Sequence, residues 1–347
     1  MENMKYSFLN DYGEGAHPDI LNALLRSNMI QQTPYGDDEY SNKAKCLIRN
    51  KIGKQNLDVF FVSGGTQANL IIISSALKSH ESVISSNIGH ITLREAGAIE
   101  ATGHKVNSIV SSDGKLNKEA IIKVLKEHDF GAHIVKPKMV YISNATEIGT
   151  IYTKHELEDL SSFCKENNLY LFLDGARLGS ALTASNNDLT LSDIASLTDI
   201  FTIGGTKNGT LIGEAVVIVN EKLKEDFPFH IKQRGAMLSK GRILGVQFLE
   251  LFKDNLFFDL AKHSNRMASK LSEGLKKNGF NMSSKSTTNQ IFPILPNKLI
   301  AELEKNFEFY RWNHINDDYT VLRIVTSWAT KESKVDKFIS ESNICKN

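Results

Sequence analysis

Leu169-Tyr-Leu-Phe-Leu-Asp174-Gly-Ala-Arg177 is the stretch on which the fold turns. Five apolar residues run straight into an acid and a small-residue turn. A run this short, bounded by turn formers, reads as a strand buried on both faces of a sheet. Six more runs have the same character: Asp58–Ser63, Ser82–Ser86, Val106–Val110, Met139–Ser143, Asp199–Gly204 and Glu214–Val219. Helical periodicity falls between them, near 67–79, 91–102, 116–128 and 153–167. Strand alternating with helix predicts a mostly parallel sheet with right-handed crossovers. The last two runs are joined only by the segment 205–213, too short for a crossover helix, which predicts one antiparallel edge strand.

After about residue 250 the rhythm changes. A long helix (about 256–279), short runs at 290–295, 307–312 and 320–326, and helices at 297–306 and 331–342 describe a small α+β unit. The expected architecture is therefore α/β: an arm over 1–35, a large domain over 36–250 with a seven-stranded, mostly parallel sheet, and a small C-terminal α+β domain over 251–347.

Composition sets outer bounds. The 347 residues carry 41 basic and 40 acidic side chains, a net charge of +1. That balance argues against a nucleic-acid partner, which calls for a basic excess to displace counterions. No apolar run approaches the ~20 residues that cross a bilayer, and the opening segment lacks a signal peptide's apolar middle. Cys46, Cys164 and Cys345 are too few and too scattered for a disulfide scaffold or zinc ribbon. These features predict a cytoplasmic protein without membrane or nucleic-acid partners and without a metal.

In an open α/β sheet the ligand site lies beyond the carboxyl ends of the strands. Three motifs fall there. Ser63-Gly-Gly-Thr66 follows a strand and opens a helix, so Gly65 and Thr66 sit where free N–H groups and the helix dipole attract an anion. Read alone, it is equally a capped glycine turn. Asp174 either caps its own turn or is a carboxylate that keeps a ligand nitrogen protonated. Lys207, in Gly204-Gly-Thr-Lys-Asn-Gly209, is either a surface charge or a desolvated amine able to form a Schiff base. Together, an anion cradle, a carboxylate after a strand and a lysine in a small-residue turn describe a pyridoxal phosphate site.

With these motifs the sequence resembles the threonine aldolase / β-eliminating lyase family of fold-type-I pyridoxal phosphate enzymes, along nearly the whole chain. Asn10-Asp11 with Gly15-Ala-His-Pro18 is similar to the family's N-terminal arm, and Tyr35-Gly-Asp-Asp38 to its YGDD segment. Gly65-Thr66 is similar to the phosphate turn, and His90 to the histidine that stacks on the pyridine ring. The resemblance implies that Asp174 holds the ring nitrogen, that Lys207 is the Schiff-base lysine, and that Arg177 and Arg323 bind the substrate carboxylate. Asn10 and Tyr35 would join the substrate site. Lys232, Arg234 and Lys240 would neutralise the phosphate, reaching a neighbouring subunit's site in a homodimer or homotetramer. The implied activity is cleavage of a β-hydroxy-α-amino acid to glycine and an aldehyde. The runner-up is β-elimination or transamination of another amino acid.

The chain departs from the family pattern at three places. Asn10 stands where a serine is common, Ser327 where a histidine often follows the second arginine's Val-Thr, and Thr146-Glu147 where the loop is usually Thr-His. Glu147 is thereby a candidate base for the substrate hydroxyl. Other classes fit less well. The chain lacks the GxGxxG of a dinucleotide enzyme and the HExxH of a zinc hydrolase. A cysteine desulfurase calls for a mobile active-site cysteine, and the only late one is Cys345. A catalytically dead binding protein of this fold should have lost Lys207 or Asp174.

Overall fold

The computed structural model describes residues 5–344, so Cys345 lies outside the described residues. The elements β1 (Tyr6–Ser7), α1 (Pro18–Ser27) and α2 (Glu39–Ile52) come first. The central sheet is built from β2 (Asp58–Val62), β3 (Glu81–Ser86), β4 (Val106–Ile109), β5 (Lys136–Ser143), β6 (Tyr170–Asp174), β7 (Ile200–Gly204) and β8 (Glu214–Ile218). These are the seven runs expected from the sequence. Their order is β2-β8-β7-β6-β5-β3-β4. Pairs from β4 through β7 are parallel, whereas β8 runs antiparallel to both β7 and β2.

The expected antiparallel edge strand is therefore an interior one. The short 205–213 connection does turn the chain straight back, but β2 lies outside β8 and closes the edge. Every residue of β8 is buried in consequence.

Crossover helices α3 (Gly65–Ala76), α4 (His90–Leu93), α5 (Lys118–Glu127), α6 (Lys154–Glu166), α7 (Leu178–Leu182) and α8 (Leu191–Leu197) cover the sheet. Helix α6 begins where the sequence places it because Thr153 and Glu156 form a reciprocal capping box. The helix expected over 91–102 is instead the single turn α4 and a 3₁₀ turn at Glu100–Thr102. Positive φ at Ala96 (51°) and Gly97 (75°) breaks it, and Glu95 between these pieces is buried.

The chain continues through α9 (Phe227–Gln233), α10 (Arg242–Phe252), α11 (Leu256–Lys277), β9 (Gln290–Ile291), β10 (Ile294–Pro296), α12 (Asn297–Leu303), β11 (Phe307–Glu308), β12 (Tyr310–His314), β13 (Tyr319–Val325) and α13 (Glu332–Ile344). Strands β9, β10 and β12 all pair antiparallel with β13. Three large apolar cores result among the described residues, beside a small cluster of Ala145, Ile151, Ala181 and Ala184. Phe201, Ala215 and Val217 pack on one face of the central sheet, Tyr141, Phe172 and Val216 on the other, and Phe8, Leu295, Phe307 and Phe338 under the small sheet. Helix α11 links two of them, with Phe257 and Leu260 in the first and Met267 and Leu271 in the third. The N-terminal segment packs on its own chain: β1 pairs with β11, and Ile20 of α1 enters the first core. Among the described residues no helix is long and apolar enough to cross a membrane.

Candidate active site

Gly65, His90, Glu147, Asp174, Arg177 and Lys207 line one pocket at the carboxyl ends of the parallel strands. Two backbone approaches bring the turns after β6 and β7 together. A Cβ on Gly175 would lie 1.9 Å from the Thr202 carbonyl oxygen, and one on Gly204 would lie 2.3 Å from the Ala176 oxygen. Only glycine permits that contact, which carries Asp174 and Lys207 into the same space.

Asp174 is buried and fully engaged. The Tyr141 hydroxyl and the Asn69 amide donate to Oδ2 (2.6 and 3.0 Å), and the Ala176 N–H donates to Oδ1 (2.9 Å). Burial alone would raise its pKa. The Tyr141 donor and the charges of His90 and Lys207 outweigh that and hold the carboxyl below its ordinary value.

His90 opens α4, and its Nδ1 lies 2.7 Å from Oε1 of Glu95. The same oxygen accepts from Asn69 (2.7 Å), whose amide nitrogen also serves Asp174. The ring's orientation and the carboxylate's position are thus tied through one amide. With Glu95 as carboxylate, Nδ1 is the donor in this pair.

Glu147 sits in the loop after β5. Its Oε1 accepts from the Ser143 hydroxyl (2.8 Å) and from the His90 backbone N–H (2.9 Å). Burial pushes its pKa up, against the lowering effect of Ser143. Lys207 occupies the 3₁₀ turn Thr206–Asn208. Burial, then the Arg177 charge, pulls its amine below the ordinary lysine value, although Asp11, Glu214 and Asp174 act the other way.

The two arginines face a shared space. Arg177 directs Nε and Nη2 at Asp11 as a fork (2.7 and 2.9 Å). Asp11 is itself buried and also accepts from Asn289 (2.8 Å). Arg323, on β13, donates from Nε and Nη2 to the Gln290 side-chain oxygen (3.1 and 2.7 Å) and lies over the Trp312 ring. Burial and the nearby Arg177 pull its pKa down to about 10. A carboxylate between the two guanidinium groups would relieve their repulsion.

Other expected residues lie elsewhere within this chain. Asn10 caps a local turn, accepting from the Tyr12 N–H (3.0 Å), and its neighbour Asp11 is the one that reaches the arginine. Thr66 is exposed at the start of α3. Tyr35, Lys232, Arg234 and Lys240 are exposed and do not line this pocket. Tyr35 instead lies beneath the Lys232 ammonium, 4.8 Å from ring centre to Nζ, beside a groove that includes Pro228, Phe229 and Met237. Sequence reasoning missed Asn69, Tyr141 and Glu95. Only their closeness in sequence to the flagged motifs could have found Asn69 and Glu95, and Tyr141 reads as one more core aromatic.

The residues present fit pyridoxal phosphate. Asp174 remains charged although buried, as a partner for a protonated ring nitrogen must. Helix α3 has no side-chain cap at Gly64, which leaves its first amides free for a phosphate. The depressed amine of Lys207 suits attack on a carbonyl carbon.

Comparison with known proteins agrees. Residues 16–297 match the beta-eliminating lyase family. A low specificity L-threonine aldolase from Pseudomonas sp. (strain NCIMB 10558) is 33% identical over 349 residues, covering 98% of each chain. A solved structure of Leishmania major threonine aldolase is 51% identical, covers 97% of this chain and 98% of its own, and superposes with a TM-score of 0.96. A Thermus thermophilus aspartate aminotransferase variant, at 14% identity and TM-score 0.72, shares the fold. By residues matched, by identity and by architecture, the chain belongs to the beta-eliminating lyase family.

Proposed function

We propose that the protein is a pyridoxal phosphate-dependent carbon–carbon lyase that cleaves threonine-like β-hydroxy-α-amino acids to glycine and an aldehyde. One observation carries the reading: a buried, charged Asp174, a depressed Lys207 amine and the Glu147 carboxyl share one pocket with an arginine. The threonine aldolase relatives support the substrate class.

Gly65 and the first amides of α3 would hold the phosphate, with the exposed Thr66 hydroxyl beside them, Asp174 the ring nitrogen, His90 the ring face and Lys207 the carbonyl carbon. When bound, the cofactor supplies an electron sink for the charge left on the substrate's Cα. The chain's own residues do the rest. Arg177 and Arg323 take the substrate carboxylate, and its fixed position decides which Cα bond stands perpendicular to the ring. Arginine suits this planar, two-pronged task better than lysine. Glu147 accepts the β-hydroxyl proton. The O–H electron pair becomes the second bond of the aldehyde C=O, and the Cα–Cβ pair stays on Cα. Raised basicity is what that task asks of a carboxylate, and burial supplies it.

A cytoplasmic location accords with Cys46 and Cys164 being free thiols. We further infer a homo-oligomer, because Tyr35 and Phe229, which line the groove that holds Lys232, are exposed, as are Leu25 and Met29. The deciding experiment supplies L-threonine and L-allo-threonine to the purified protein with pyridoxal phosphate. Equimolar glycine and acetaldehyde are expected. Release of ammonia with a 2-oxo acid would assign elimination, and amino transfer to an added 2-oxo acid would assign transamination.

A further inference from the structure

Trp312 is an aromatic side chain on β12 to which the mechanism above gives no task. The ladder between β12 and β13 pairs Tyr310 with Arg323 and Arg311 with Leu322, then resumes at Asn313 with Val321. Trp312 is the extra residue between them, opposite no partner, so β12 carries a bulge there. A bulge re-aims a side chain that a regular ladder would set across from its neighbour. The indole comes to lie beneath the Arg323 guanidinium, 5.6 Å from ring centre to Cζ. Buried Phe292 meets it in a T-shaped contact, also at 5.6 Å, and braces it from the side.

A second guanidinium shares the ring: Arg94 lies over it at 5.3 Å. Arg94 ends the turn α4 that His90 begins, and its backbone N–H donates to the His90 carbonyl. One indole therefore links the arginine of the small sheet to the turn that carries the ring histidine. The hydrogen bonds of Arg323 show what this leaves free. Nε and Nη2 both donate to Gln290 Oε1, so one edge of the guanidinium is taken. Gln290 is buried, and its own amide donates to the Thr146 carbonyl (3.3 Å), which fixes it in turn. With that edge held by Gln290 and a face resting on Trp312, the remaining edge carries Nη1 and the second Nη2 hydrogen. Two such donors side by side match the two oxygens of a carboxylate.

We propose that Trp312 is a positioning residue for the substrate carboxylate: braced by Phe292 and by Arg94, its ring holds the Arg323 guanidinium so that the free Nη1/Nη2 edge meets the carboxylate. The proposal rests on the carboxylate-binding role of Arg323 in the function proposed above, and not on which Cα bond is broken. A ring that merely filled space would matter equally to every ligand of the pocket. A ring that orients a guanidinium matters only to ligands that carry a carboxylate.

The test compares glycine with glycinamide, which has the same amine but no carboxylate, by titration calorimetry on the full chain loaded with pyridoxal phosphate. Wild type should bind glycine the more tightly. Trp312→Leu should weaken glycine by roughly 10–30-fold and leave glycinamide within about 2-fold, since only the cation–π support is lost. Trp312→Phe keeps a weaker ring and should recover most of that loss. Arg94→Met, at an exposed position, should weaken glycine by about 2–5-fold, the worth of one exposed cation–π contact. Equal weakening of both ligands in Trp312→Leu, or none for glycine, overturns the proposal. If that variant does not fold, an unchanged glycine affinity in Arg94→Met overturns it equally. A wild type that does not distinguish the two ligands removes the carboxylate site and the proposal with it. A wild type that distinguishes them yet cleaves no threonine would overturn the aldol reading alone.

Discussion

Asp174 owes its charge to its donors, and the ring nitrogen it would serve depends on that charge. Replacing it with asparagine keeps the size but removes the negative charge beside Tyr141 and Asn69. We expect Asp174→Asn to bind the cofactor yet lose about 10²–10³-fold in turnover, the scale of one lost preorganised electrostatic contact. Steady-state glycine release, with cofactor content measured by absorbance, checks this. Glu147 poses the opposite problem, a carboxyl whose burial favours the neutral form. An ordinary glutamate is already a base at pH 6. Glu147 becomes one only above its raised pKa, so aldol cleavage should fall off on the acid side at a higher pH than an exposed carboxylate would impose. Glu147→Gln should abolish that limb and cut β-hydroxy cleavage by about 10²–10⁴-fold, the range for one proton-transfer group. Racemisation of alanine, which involves no hydroxyl proton, should be much less affected. Equal loss of both reactions would make Glu147 a structural residue.

Turns, rather than strands, decide whether these side chains meet. The backbone contact of Gly175 with Thr202 locks the ends of β6 and β7 against each other. Gly175→Ala would force them apart, costing about 3 kcal/mol, the upper part of the overpacking range. Cofactor affinity should drop with stability, since Asp174 and Lys207 separate; urea unfolding and cofactor titration of the same variant test both. Such contacts also mark where the sequence stops being legible. All seven strands of the central sheet announce themselves because apolar runs between turn formers are local signals. The interior position of β8 is not local: it depends on β2, about 150 residues earlier, taking the edge. The 91–102 helix fails for a related reason. Its periodicity is real, but Glu95 turns inward to hold His90, and the backbone yields at Ala96 and Gly97. Motifs also carry local structure that their resemblance does not announce. Within Tyr35-Gly-Asp-Asp38, Asp38 is the N-cap of α2, accepting from the Ser41 N–H (2.8 Å). The Asp11–Arg177 fork spans 166 residues and has no sequence signature at all.

The molecule's surface bears on a deficit at its centre. Of the cations lining the pocket, Arg177 is paired with Asp11 and Lys207 is the proposed anchor of the cofactor's carbonyl carbon, so on that proposal the phosphate end would rely on the amides of α3. Lys232, Arg234 and Lys240 are exposed on their own chain, in the same region as Phe229 at 74% exposure and Tyr35 at 48%. Helix α1 adds Leu25 at 74%, with Met29 at 88% just beyond it. The carbonyls of Asn28 and Ile30 accept from Arg242, which ties that segment to the start of α10. In the proposed homo-oligomer, another copy would cover these apolar side chains and their basic rim. Covering it would bury Phe229, worth about 1.5–3 kcal/mol per protomer, and bring these basic residues toward a neighbouring pocket. Phe229→Asp reverses the sign of that contribution, because a carboxylate taken out of water without a partner opposes association. The variant should sediment as a smaller species than wild type while keeping its far-ultraviolet circular dichroism. If the basic residues serve a neighbour's phosphate, it should also release pyridoxal phosphate more readily, whereas affinity for pyridoxal, which lacks the phosphate, should change little. A dissociated variant that held the phosphorylated cofactor as tightly as wild type would show that one chain's α3 amides suffice, and that Lys232, Arg234 and Lys240 belong to the contact alone.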